Sequence, residues 1–147
     1  MSISDFIKKE EGLRLKAYLD QAGIPTIGYG TIIFEDGRRV KLGDTITPDV
    51  AESLLNTDIG RRWSAIKHVI KVPTTDNQKI AIISLVYNIG VGGFIGSTLL
   101  KRINLNDTEA NIRAAFAMWN KITVKGKRIE NKGLTARRKR EADLFFS

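Results

Sequence analysis

The chain contains no cysteine and a single histidine, His68. Without cysteine no disulfide contributes to stability, and the redox compartment is left open. The same two counts leave nothing from which to build a histidine–cysteine zinc centre. A Ser-His-Asp triad would have to rest on His68, which reads as an ordinary helix-end residue. Proline occurs only three times, and no stretch rich in Pro, Gly or Ser marks a linker. No internal repeat or low-complexity segment is visible, so no appended second module is expected. Long apolar runs are missing too. The longest, Ile80 to Tyr87, is interrupted by Ser84 and is too short to span a bilayer. The first ten residues are amphipathic and charged, without the basic start and apolar run of a secretion signal. The expectation is a protein that folds and stays where it is made, with no stable membrane insertion.

What remains is enough for a globular domain. A length of 147 residues gives one domain with a real core, with room for two lobes. Apolar residues make up 42% of the chain, and its charges are interspersed rather than blocked, which excludes global disorder. The charge is divided unevenly. Residues 1–60 hold 7 Lys and Arg against 10 Asp and Glu, a net of −3, while residues 61–147 hold 17 against 6, a net of +11. The second part is therefore built to face something anionic, a cell envelope or a nucleic acid.

The most informative stretch is 11–31. Ile3, Phe6 and Ile7 recur at helical spacing behind a capping Ser4, and Gly12 is a natural stop. Glu11 then sits at the negative end of a helix macrodipole, which disfavours its ionised form, as a general acid requires. Glu10, which shares a helical face with Ile3 and Ile7, is its rival. Leu13, Leu15 and Ala17 alternate with Arg14, Lys16 and Tyr18, so a half-exposed strand follows. Asp20-Gln-Ala-Gly23 reads as a turn and Thr26-Ile-Gly-Tyr-Gly-Thr31 as the returning strand, with glycines that permit close approach to the backbone. One acid at a helix end, a second at a strand–turn junction and a hydroxyl form a plausible hydrolytic set. Turn chemistry alone also accounts for Asp20.

Downstream, Ile32 to Lys41 reads as a hairpin around Asp36-Gly37. Thr47-Pro48-Asp49 starts a long helix over 48–69. Thr75-Asp-Asn-Gln78 is a capping-box pattern before a helix that is apolar nearly all round, expected to be buried at the centre of its lobe. Asn88 to Gly93 reads as a glycine-rich bend. Ser97 caps a short helix, and Asn106 or Thr108 starts another carrying Ile112, Ala115, Phe116 and Trp119. Lys121 to Lys132 reads as a basic loop, and Thr135 to Phe146 as a closing helix with Ala142, Leu144, Phe145 and Phe146 on its apolar face.

Several of these segments together resemble a known family. Glu11-Gly-Leu-Arg-Leu-Lys, Tyr18, Asp20 and Thr26-Ile-Gly-Tyr-Gly30 resemble the catalytic region of the phage-type lysozymes, glycoside hydrolase family 24. Tyr87-Asn-Ile-Gly-Val-Gly, Phe94-Ile-Gly-Ser-Thr-Leu-Leu, Trp119-Asn and Gly133-Leu-Thr-Ala-Arg-Arg-Lys-Arg-Glu141 continue the pattern in the order of the lambdoid endolysins. The resemblance implies an α+β fold over residues 1–147. Its parts would be a small β-hairpin lobe (12–47), a connecting helix (48–69) and an all-helical lobe (1–11 and 70–147), with the active site in the cleft between lobes. It implies a muramidase that hydrolyses the β-1,4 bond between N-acetylmuramic acid and N-acetylglucosamine in bacterial peptidoglycan, with inversion and without a cofactor or metal.

In that reading Glu11 is the acid, Asp20 stays ionised and orients a water, and Thr26 holds that water. Arg137, with Arg138 as its rival, would be the electrostatic partner of Glu11 and would lower its pKa, opposing the helix-end effect. Gly30, Ile32, Tyr87, Asn88 and Ser97 would contact sugar, although Tyr87 also fits a core aromatic and Ser97 a helix cap. Thr31 and Arg113 depart from the T-even phage enzyme, which puts subsite details taken from it in doubt. A monomer is implied, held in the host cytoplasm until a holin opens the membrane. The competing readings are a lytic transglycosylase, which Asp20 with Thr26 argues against, and a nucleic-acid-binding module using Lys121–Arg140. That basic run has no interleaved aromatics for base stacking, so nucleic acid is not the expected partner. A non-catalytic wall binder is disfavoured by the intact triad.

Overall fold

Helix α1 (Ile3–Glu11) starts at Ser2, whose Oγ accepts the Asp5 N–H at 3.1 Å. The computed structural model, which describes residues 1–147, thus moves the cap two residues ahead of the expected Ser4. Gly12 ends the helix at φ +70°, its N–H donating to the Lys8 carbonyl at 3.0 Å. Strands β1 (Arg14–Leu19) and β2 (Pro25–Gly28) follow as an antiparallel pair, with Tyr18 opposite Thr26 and an irregularity between Arg14 and Tyr18.

Alternation along β1 buries less than its pattern suggests. Ala17 is inside, while Leu13 and Leu15 stay about 40% exposed, at 40% and 39%. Two strands offer too little surface to cover a full face. Ala17 instead joins Ile27 and Val40 in a small core against which Phe34 and Ile46 pack. The expected 32–41 hairpin is present as a turn with a single bridge, Ile33 to Arg39, rather than two full strands. Its turn is closed by the Phe34 N–H to the Arg38 carbonyl at 2.9 Å and by Asp36 Oδ1 accepting the Arg38 N–H at 2.9 Å.

Helix α2 (Pro48–Ile66) is capped by Thr47, which accepts the Val50 N–H at 3.2 Å, and passes into a 3-10 turn at Lys67–Val69. The chain divides by contacts into two compact units, Met1–Arg61 and Arg62–Ser147, so the boundary falls inside α2. Helix α1, expected with residues 70–147, falls in the first unit, where Lys8 pairs with Glu52 at 2.8 Å.

The second unit is built around α3 (Asp76–Ile89), in which every residue from Ile80 to Tyr87 is buried. Its capping box is fully formed, Thr75 Oγ1 accepting the Gln78 N–H at 3.1 Å and Gln78 Oε1 accepting the Thr75 N–H at 2.9 Å. Where a glycine bend was expected, Gly90 turns the chain at φ +90° and a short helix α4 (Val91–Ile95) follows at once. A Cβ at Gly93 within it would stand 3.3 Å from Cη2 of Trp119, so a larger residue there would press on that ring. Helices α5 (Thr98–Asn104) and α6 (Glu109–Ala117) begin at Ser97 and Thr108 as their hydroxyls direct.

The second unit is not all helical. Residues read from sequence as a basic loop form a hairpin, β3 (Lys121–Val124) with β4 (Lys127–Glu130). Lys125 and Gly126 turn it, both at positive φ, +49° and +77°, the geometry that suits a two-residue hairpin turn. Helix α7 (Lys132–Phe145) starts three residues earlier than Thr135 because Asn131 caps it, accepting the Leu134 N–H at 2.9 Å. Its inward face carries Ala142 and Phe145 as expected, but also Arg137, Arg138 and Glu141. Leu144 and Phe146 are only half-buried.

Candidate active site

The stop at Gly12 leaves Glu11 as the last residue of α1, half-buried. Asp20 follows β1 and folds back over its own turn. Its Oδ1 accepts the N–H groups of Ala22 and Ile24 at 2.8 and 2.9 Å, and its own N–H donates to the Ile24 carbonyl at 3.0 Å. The turn therefore uses one carboxylate oxygen only.

Thr26 is buried, with 4% of its surface exposed, and its Oγ1 donates to the Ile24 carbonyl at 2.8 Å. A hydroxyl whose proton is committed in this way offers lone pairs and nothing else. The Ile24 residue is thus bonded through its N–H to Asp20 and through its carbonyl to Thr26. Two of the three side chains singled out in the sequence are brought together by one backbone unit.

Glu11 is tied to the same region through Tyr18. Burial pushes the Tyr18 phenol above its usual pKa, the Glu11 charge adds to this, Arg14 opposes it, and Asp20 pushes the same way as Glu11. The two carboxylates therefore act on one phenol. The Arg14 guanidinium lies 4.8 Å from the Tyr18 ring centroid. Tyr18 and Arg14 were legible in the sequence only as motif positions. The signal for Tyr18 was its place near the end of β1, two residues before Asp20.

Gly30, at φ +92°, lies in a tight loop closed by Ile27 and Thr31, which exchange N–H to carbonyl bonds at 2.9 and 2.8 Å. Thr31 is buried and its Oγ1 donates to Asp58 Oδ2 at 3.3 Å, while Asp58 also pairs with Arg61. Ile32 keeps 38% of its surface exposed.

The remaining sequence-chosen residues lie in the second unit. Tyr87 is buried, with the Arg62 guanidinium 4.5 Å from its ring centroid. Ser97 is buried, and its hydroxyl is used twice, accepting from Leu100 N–H at 3.1 Å and donating to the Phe94 carbonyl at 2.7 Å. Asn88 is exposed and accepts from Arg138 Nη1 at 2.9 Å.

Arg137 is buried, donating from Nη2 to the Ser84 carbonyl at 3.1 Å and from Nε to Glu141 Oε2 at 3.3 Å. Arg138 is buried more deeply and approaches the same carboxylate from Nε, 2.7 Å from Oε1. That approach is an ion pair without hydrogen-bond alignment, and the bond proper runs from Nη2 to Oε2 at 3.3 Å. Ser84 Oγ donates to Oε2 as well. Burial pushes the Glu141 carboxyl up, against the pull of Arg138 and Arg137. This cluster was missed in the sequence. Ser84 inside an apolar run, and Glu141 three and four residues after two arginines, were its signals.

Comparison with known proteins identifies the family. The family model described as phage lysozyme matches residues 8–141. The endolysin of Acyrthosiphon pisum secondary endosymbiont phage 1 is 45% identical over 141 residues, covering 96% of this chain and 92% of that protein. Among solved structures, an endolysin from Escherichia coli O157:H7 phage FAHEc1 superposes with a TM-score of 0.91 at 46% identity, covering 99% of this chain and 90% of that one. The muramidase domain of SpmX from Asticaccaulis excentricus superposes at 0.84 with 29% identity, covering 99% and 95%.

Proposed function

The chain belongs to the phage lysozyme family, and from that premise we propose that Glu11, Asp20 and Thr26 are its catalytic residues. The protein is a peptidoglycan-degrading glycoside hydrolase of the endolysin type, active in bacterial lysis. The bond cleaved in our reading is the β-1,4 linkage from N-acetylmuramic acid to N-acetylglucosamine. Glu11 protonates the leaving oxygen while positive charge develops on the sugar. Asp20 remains ionised and takes a proton from the attacking water. Thr26 accepts the second hydrogen of that water, which leaves an oxygen lone pair aimed at the anomeric carbon.

The observation that carries this reading is the commitment of the Thr26 proton to Ile24, the residue that also anchors Asp20. Two acceptors anchored on one residue would hold a water by both of its hydrogens, the arrangement that direct attack with inversion needs. For sugar contact we carry forward Gly30, Ile32 and Asn88, which bring a tight backbone loop, an exposed apolar side chain and an exposed amide. The Ser97 hydroxyl commits its proton to the Phe94 carbonyl and accepts the Leu100 N–H, as a helix cap does. We read the whole chain as one lysozyme domain acting as a monomer, held in the host cytoplasm until a holin admits it to the wall. No helix is long and apolar enough to cross a membrane. The excess of basic residues after position 60 favours encounter with anionic wall polymer and predicts salt-sensitive clearing.

The test is turbidity clearing of purified peptidoglycan by wild type and by Glu11→Gln. Loss of about 10²- to 10⁴-fold, with thermal unfolding unchanged, is the expected result. Equal clearing by both proteins would remove Glu11 from the mechanism. Product analysis separates the reactions, since an anhydromuramic end would mean transglycosylation and a reducing sugar means hydrolysis.

A further inference from the structure

Arg138 is an unusual residue to bury. Its side chain is 1% exposed, its charge is matched by Glu141, and its Nη1 reaches beyond that pair to two further oxygens. One is the Trp119 carbonyl, at 3.2 Å, and the other is Oδ1 of Asn88, at 2.9 Å. Asn88 itself is exposed at the end of α3, next to Gly90, which ends that helix.

An amide side chain has one accepting end and one donating end, and on a solvated surface either can face outward. A guanidinium donates only, so it accepts no alternative here: the oxygen must face Arg138 and the NH2 group must face away. We propose that Arg138, held by Glu141, is a positioning residue that fixes the Asn88 amide so that its two N–H donors are presented to ligand. The group they would recognise is an acceptor oxygen of the polysaccharide, such as an acetamido carbonyl. This rests on Asn88 contacting sugar, as proposed above.

Three features support a built device over incidental packing. The arginine is anchored independently of Asn88 at two points, on Glu141 of α7 and at the Trp119 carbonyl, so its guanidinium plane is fixed before the amide is met. Its partner carboxylate is fully buried and shared with Arg137 and Ser84, so Glu141 is itself held in place. The direction of the Asn88 contact is also set by charge. Orienting an amide in advance removes an ordering cost from binding.

The test separates orientation from folding. Asn88→Asp keeps an acceptor for Arg138, now charged, but deletes both outward donors. It should raise KM for soluble peptidoglycan fragments about tenfold, the equivalent of one lost hydrogen bond, with kcat changed less than about twofold and Tm not lowered. Arg138→Lys keeps the charge beside Glu141 but lacks the fork that reaches Asn88. It should raise KM in the same direction, and rescue by Arg138 alone should restore it. The side-chain amide of Asn88, followed by NMR in substrate-free protein, should shift between wild type and Arg138→Lys. An unchanged KM in Asn88→Asp, or an unmoved Asn88 amide resonance in Arg138→Lys, overturns the proposal. Failure of the wild-type enzyme to clear peptidoglycan would instead strike the functional reading, and the NMR comparison still decides whether Arg138 orients Asn88.

Discussion

The two units of this chain treat charge in opposite ways. In the first, residues 1–61, the acids that matter stand at the ends of short elements, and what holds Asp20 is backbone N–H rather than a cation. In the second, residues 62–147, a carboxylate and two guanidiniums are sunk among the most buried side chains of the molecule. A carboxylate bonded only to turn amides keeps an oxygen for chemistry. One sealed in the interior between two arginines and a serine has none within reach of solvent. The comparison teaches that a carboxylate held by turn amides stays available to substrate, whereas one buried against two guanidiniums is spent on the fold.

The largest effects should therefore fall on activity in the first unit, without loss of stability. Asp20→Asn retains the Oδ1 acceptor for Ala22 and Ile24, so the turn survives while the proton acceptor is lost. Clearing rates should fall about 10²- to 10⁴-fold with an unchanged circular-dichroism melt. Thr26→Val should follow it in direction and Thr26→Ser should stay close to wild type, because only the hydroxyl is asked to hold water.

The second unit should answer with stability. Glu141→Ala strands two buried guanidiniums, and urea unfolding should report a loss of about 3–5 kcal/mol. If that variant unfolds like wild type, the contrast between the units fails. A smaller effect is expected at Ser97, a buried cap of α5. Ser97→Ala should cost about 1 kcal/mol in unfolding free energy, with KM unchanged.

Acid should produce the smallest and most even response. Backbone N–H bonding from Lys41, followed by Arg38, holds Asp44 below the usual carboxylate range, and the Asn111 side chain, then the Thr108 N–H, does the same for Asp107. A depressed carboxylate stabilises the fold at every pH above its unfolded value, near about 3.9, and that contribution disappears as pH falls through the lowered one. Melting temperature should be flat from neutral pH to about 5 and decline below about 4. The decline should be shallower in Asp44→Asn and Asp107→Asn alike, since each variant removes a carboxylate held below its usual range.

Much of the fold was legible because local chemistry and tertiary structure agree. Gly12, Thr47, the Thr75–Gln78 box and the Asp20 turn each carry their own instructions, and the structure follows them. The misses share a cause. Ser2 outcompeted Ser4 as cap because helix starts are decided within one turn, and Lys125-Gly126 was read as loop because its strands are basic instead of alternating. Leu13 and Leu15 kept their pattern but lost their cover. The triad residues could be named from the sequence, but the linkage of Asp20 and Thr26 through Ile24 could not, because a main-chain bond leaves no trace in residue identity. Glu141 and Arg138 were hidden for the opposite reason: charge normally signals the surface, and only packing reveals that a charged face points inward.

The Ile24 peptide acts as a fixed spacer between a proton acceptor and a hydroxyl, and this makes the loop tolerant of spelling but not of length. Gln21 and Ala22 are exposed, so their side chains are free to vary, Ala22 contributing only its N–H. Adding or deleting one residue between Asp20 and Ile24 would slide every later amide out of phase with the carboxylate. Such a variant would fold around an intact core and still be unable to break a wall.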